Sequence, residues 1–124
     1  MAASDPVDPS AYDIHLISHA SELVSAAEGH RAAGLLVEMV DERRRAAGET
    51  GTYASRRRLV LARNHAVAAE QRAWGRVRAA RASLRAWGWE HGADREVVLG
   101  QIEPLYLSED DKNEIVSLCT EWSA

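Results

Sequence analysis

Apolar positions recur at helical spacing along most of the chain, and the longest such stretch runs from Thr52 to Trp89. With Ala66 centred and about 100° per residue, Leu59, Ala62, Ala66, Ala69, Ala73, Val77, Ala80, Leu84 and Trp87 fall within an arc of about 80°. An unbroken seam of mostly small residues is a core face that another helix can approach closely. A quarter-turn away, Arg56, Val60, Arg63, Val67, Trp74, Arg78, Arg81 and Arg85 form a second stripe. It mixes cations with apolar side chains, where an ordinary solvated face would mix both charge signs, so it calls for an acidic cover.

The remaining elements read as shorter helices. Ser10 caps a first helix, Asp13 follows three residues later as in a near-capping-box, and Leu16, Ile17, Ala20, Leu23, Val24 and Ala27 hold the period until Gly29. A second helix is expected from His30 or Arg31 to Ala47, burying Leu35, Leu36, Met39 and Val40, with Arg43, Arg44 and Arg45 at its C-terminus and Gly48 as its stop. Residues 49–51 make the turn, and Thr52 or Ser55 starts the long helix. After a connection over 88–93, a short helix from Asp94 to Glu103 carries Val97, Val98 and Ile102 and stops at Pro104. In the last helix Ser108 is the cap, Glu109, Asp110 and Asp111 fill the first turn, and Ile115, Leu118, Cys119 and Trp122 share a face.

These patterns predict an all-α helical bundle of four to five helices with one long central basic helix. Residues 1–9 read as a disordered tail and 10–124 as a single helical domain, within the size that folds without disulfides or metal. Unbroken, the long helix would measure about 57 Å at 1.5 Å per residue, against about 35 Å across a compact domain of this size. It must bend, with Gly75 and Gly88 the obvious places, or project and find a partner. The seam is expected to pack against Leu16, Leu23, Leu36, Met39, Ile115 and Leu118.

Charge adds a block pattern to this picture. Up to Glu42, eight acids stand against Arg31 alone; from Arg43 to Arg85, twelve arginines stand against Glu49 and Glu70; beyond, nine acids stand against Arg95 and Lys112, within a net charge of -4. Acidic helices of the same chain or of a partner can therefore cover the basic stripe. The preference for Arg over Lys is the usage expected of a GC-rich genome. The start of the chain has neither the charged n-region nor the apolar stretch of a secretory signal, and no apolar run is long enough to span a membrane, so a cytoplasmic location is expected.

Candidate chemistry is sparse. His15, His19 and Glu22 share a helical row that could form half of a metal site, but the second Glu-x-x-His unit of a helical di-metal bundle is missing, and the row reads better as boundary residues. Cys119 follows the apolar register beside Glu114 and Glu121, as a buried hydrophobe would, and no glycine-rich phosphate loop is present. No catalytic residue, cofactor or metal is assigned. The expected function is a non-enzymatic protein-protein interaction or assembly module, meeting a protein partner or a second copy as a homodimer. Its site is Arg56, Arg57, Arg58, Arg63, Trp74, Arg78, Arg81 and Arg85, with Trp74, Trp87 and Trp89 as apolar anchors. The alternative is a nucleic-acid-binding protein, a helix-turn-helix-like regulator or an accessory subunit of a nucleoprotein complex, using the same arginine stripe.

Overall fold

The computed structural model describes residues 12–48 and 50–121. The expectations placed on residues 1–9, on the Ser10 cap, on Glu49 and on Trp122 lie outside the described residues. The chain is all-α: helix α1 spans Ile14–Ala47, α2 Tyr53–His91, α3 Arg95–Ile102 and α4 Glu109–Thr120, with a 3-10 turn over Glu103–Leu105. No strand occurs among the described residues, and no helix there is long and apolar enough to cross a membrane.

Local chemistry explains most boundaries. Asp13 caps α1, its Oδ1 accepting from the backbone N–H groups of His15 at 2.9 Å and Leu16 at 3.3 Å. Gly48 closes the helix at φ 48°, a left-handed conformation that favours glycine. Thr52 Oγ1 accepts from Ser55 N to open α2, Asp94 caps α3 and Ser108 caps α4. Two expected boundaries are corrected. The first and second helices are one, because Gly29 sits inside α1 without a positive φ, where glycine costs only about 1 kcal/mol relative to alanine. Similarly, α2 passes through Gly75 and Gly88 and stops at Gly92, whose φ is 54°.

The packing divides into two compact units, one within Met1–Val24 and Arg78–Ala124, the other Ser25–Val77. The first has a core of large side chains: Leu16, Leu23, Leu84, Trp87, Ile102 and Ile115 are all buried. Asp13 ties it together. Its Oδ2 accepts from the Trp87 indole at 3.1 Å and lies 3.5 Å from His91 Nε2, while its backbone N–H donates to Oε1 of buried Gln101 at 2.6 Å. The His91 ring stacks on Trp87 at 4.4 Å and donates its Nδ1–H to the Trp87 carbonyl.

The second unit is an antiparallel helical hairpin. Arg63 pairs with Asp41, Glu70 lies over Gly34, and Trp74 meets His30; seven and then four residues forward along α2 match seven and then four back along α1, so one register holds throughout. Its buried residues are Ala26, Val40, Ala66, Ala73 and Val77. The expected burial of Leu35, Leu36 and Met39 is overturned: all three are exposed, because the alanine face of α2 meets the other side of α1.

Two outcomes test this description. Gly29→Ala should raise stability by about 0.5 to 1 kcal/mol in denaturant melts, since a Cβ there meets no neighbouring atom within 4 Å; a loss would mean that the helix breaks at Gly29. For Asp13, burial raises the carboxyl pKa, but the hydrogen bonds from Trp87, Leu16 and His15 and the field of His91 outweigh it and leave it below its usual 3.8. This stabilisation is complete above pH 3.8 and is lost as pH falls through the lower folded-state value. Asp13→Asn should cost about 1 to 3 kcal/mol at neutral pH, where an amide N–H would oppose the indole N–H, and should flatten the acid limb of the melting profile.

Candidate interaction surface

The arginine stripe predicted on α2 is divided between the two units, and its members meet different surroundings. In the hairpin, Arg63 donates Nε–H to Asp41 Oδ1 at 2.7 Å, and Arg56, Arg57 and Arg58 are exposed. Trp74 is 39% exposed, its ring 5.3 Å from that of His30 and tilted by 41°. In the other unit, Arg81 donates Nε–H to Glu114 Oε1 of α4 at 2.9 Å, whereas Arg78 and Arg85 are exposed. An acidic side chain of the same chain thus meets the stripe at Arg63 and at Arg81. Arg56, Arg57, Arg58, Arg78 and Arg85 make no ion pair among the described residues.

Of the three expected tryptophan anchors, Trp87 is corrected, being 3% exposed and bonded to Asp13 within its own core. Trp89 is largely exposed. His15 and His19 border a surface cavity with Asp13, Glu90 and His91, yet no group of three or more His, Cys, Asp or Glu among the described residues could hold a metal ion. Cys119 is fully buried, and burial pushes its thiol up to about 12, far from the range of a nucleophile at neutral pH.

Sequence reasoning missed two features of the hairpin. Its large apolar residues face outward: Leu35 is 61%, Met39 52% and Leu61 56% exposed, with Leu36 close behind. On an ideal helix, Leu36, Met39 and Ala32 lie to one side of the α1 face that meets α2, and Arg31, Glu38 and Arg45 to the other. The second feature is the company that Arg56 keeps. With Arg44 and Arg45 from the end of α1 it lines a cavity of about 430 Å³, together with Leu59 and Val60. The signal available in sequence was two Arg triplets flanking a short turn, which a hairpin must bring to one end.

No protein-family model, curated protein or solved structure matches this chain.

The pair Arg81–Glu114 separates internal from free cations. Both side chains are about one-third exposed, so solvent screening limits the pair to no more than about 1 kcal/mol. Arg81→Glu, which sets like charges together, should lower stability measurably in a chemical melt. Arg85→Glu should change it by no more than about 0.5 kcal/mol. Equal effects would show that Glu114 does not select Arg81.

Proposed function

We propose that the protein is a non-enzymatic interaction and assembly module, a helical bundle whose long basic helix α2 is covered by acidic residues of its own chain or of a partner. The ion pairs Arg63–Asp41 and Arg81–Glu114 support the internal part of that cover. One observation carries the rest. The hairpin buries few large side chains and turns Leu35, Leu36, Met39 and Leu61 to solvent, each a large apolar group that a protein partner would bury.

A second reading, nucleic-acid binding, draws on the exposed cations Arg56, Arg57, Arg58, Arg78 and Arg85. It is the weaker one: Arg63 and Arg81 already face carboxylates, and the chain is acidic overall.

Light scattering with sedimentation in low and moderate salt, with and without duplex DNA, tests the two together. At tens of micromolar protein, where roughly micromolar affinities register, we expect about twice the 13.6 kDa chain mass and no DNA complex. Leu36→Lys combined with Leu61→Lys should give a folded, helical monomer, because both side chains are exposed in the single chain. A wild-type monomer would sink self-assembly. Salt-sensitive DNA binding, lost on changing Arg56, Arg57 and Arg58 to Glu with folding intact, would replace this reading with the second.

A further inference from the structure

The turn end of the hairpin gathers six arginines, Arg43 to Arg45 closing α1 and Arg56 to Arg58 opening α2. Arg44, Arg45 and Arg56 share the cavity of about 430 Å³ with Asp41, Leu59 and Val60. A neighbouring cavity of about 440 Å³, which shares Arg56 and Val60, adds Arg57 and Tyr53. Among the described residues Asp41 is the one carboxylate lining either cavity, and its Oδ1 is engaged by Arg63 at 2.7 Å, with Arg44 at 4.0 Å. Arg45, Arg56 and Arg57 make no ion pair among the described residues.

Helix electrostatics accounts for only half of this cluster. Arg44 and Arg45 in the last turn of α1 face the negative end of its dipole and stabilise it. Arg56 closes the first turn of α2, which has no acidic residue, and so faces the positive end. Six like charges at one end also repel one another. The arrangement therefore opposes the stability of the free chain, and a bound anion would relieve it.

The anion's carrier can be read from the apolar surface between the charges. Tyr53, Val60, Val67 and Trp74 recur every seven residues along α2, and Tyr53 is 73% exposed. On α1, Gly34 and Asp41 are already met by Glu70 and Arg63 of α2, so the apolar row left for a partner is that of α2. A seven-residue apolar repeat is the spacing one helix offers another. Resting on the interaction reading above, we propose that this end of the hairpin receives an acidic amphipathic helix of a partner protein. Its carboxylates meet Arg44, Arg45, Arg56 and Arg57, and its apolar seam covers Tyr53, Leu59 and Val60. A nucleic-acid backbone would satisfy the arginines but leave that apolar surface wet.

The test uses the full chain and a labelled synthetic helix of about three heptads, with leucine on its seam and glutamate on both flanks. A lysine-flanked counterpart and a DNA duplex serve as controls, with binding followed by fluorescence anisotropy. The glutamate-flanked helix should bind, more weakly as salt rises, and the lysine-flanked one should not. Arg56→Glu with Arg57→Glu should weaken binding about tenfold or more while the melting temperature of the free variant holds or rises. A purely structural cluster would instead give a lower melting temperature. That result would overturn the proposal, as would no binding of the acidic helix, equal binding of the lysine-flanked helix, unchanged affinity in the variant, or tighter binding of the duplex. Self-association through Leu36 and Leu61 is read separately, so the two proposals fail independently.

Discussion

Three helices of the larger-cored unit converge on one residue, Asp13. Its carboxylate caps the first turn of α1, accepts the indole N–H of Trp87 from α2 and faces His91, while its own N–H is held by Gln101 of α3. Each partner solves a problem that burial creates. The indole and the glutamine amide are polar groups inside an apolar core, and leaving one unmatched there costs about 1 to 3 kcal/mol. Because Asp13 pairs with the indole N–H and with Oε1 of Gln101 together, it ties the start of α1 to the C-terminal end of α2 and to α3. The packing of Leu16, Leu84, Ile102 and Ile115 then follows with the polar atoms already paired.

The hairpin obeys a different constraint. Alanine at Ala26, Ala66 and Ala73 lets α1 and α2 approach closely, but a methyl group buries little area, and area is what stabilises. The residues with area to give, Leu35, Leu36, Met39 and Leu61, are exposed. An isolated pair of helices with so small an interior would be marginal, which is why a covering surface is physically plausible there and unnecessary around Trp87.

Features decided by local chemistry were legible in the sequence. Ser108 before three acids, Gly48 after three cations, and most of the α2 seam from Leu59 to Trp87 each depend on neighbours within a turn or two, and the structure has them, except that Ala62 near the start of the seam is exposed. Gly29 was not legible, because a glycine inside a helix and a glycine ending one differ in backbone conformation rather than in flanking residues. Nor was the exposure of Leu36 and Met39: periodicity reveals that a helix has an apolar stripe, but not whether the same chain covers it. The candidate site was half legible. Arg56 to Arg58 stood out, whereas their association with Arg44 and Arg45 needed the hairpin to close.

That closure also decides how the arginines should be understood. Read along the chain, Arg43 to Arg45 are ordinary helix C-terminal cations and Arg56 to Arg58 begin a basic stripe. Folded, the two sets stand at one end, and the carboxylate nearest the cavity, Asp41, is already held by Arg63. Among the described residues, carboxylates meet the stripe at Arg63 and Arg81, and Arg45, Arg56 and Arg57 at the turn end make no ion pair. A charge cluster that the α2 dipole opposes at Arg56, beside apolar groups that its own core does not cover, has two unmet requirements in one place. A ligand that meets both must be anionic and apolar along a single face, which is a more restrictive condition than positive charge alone imposes.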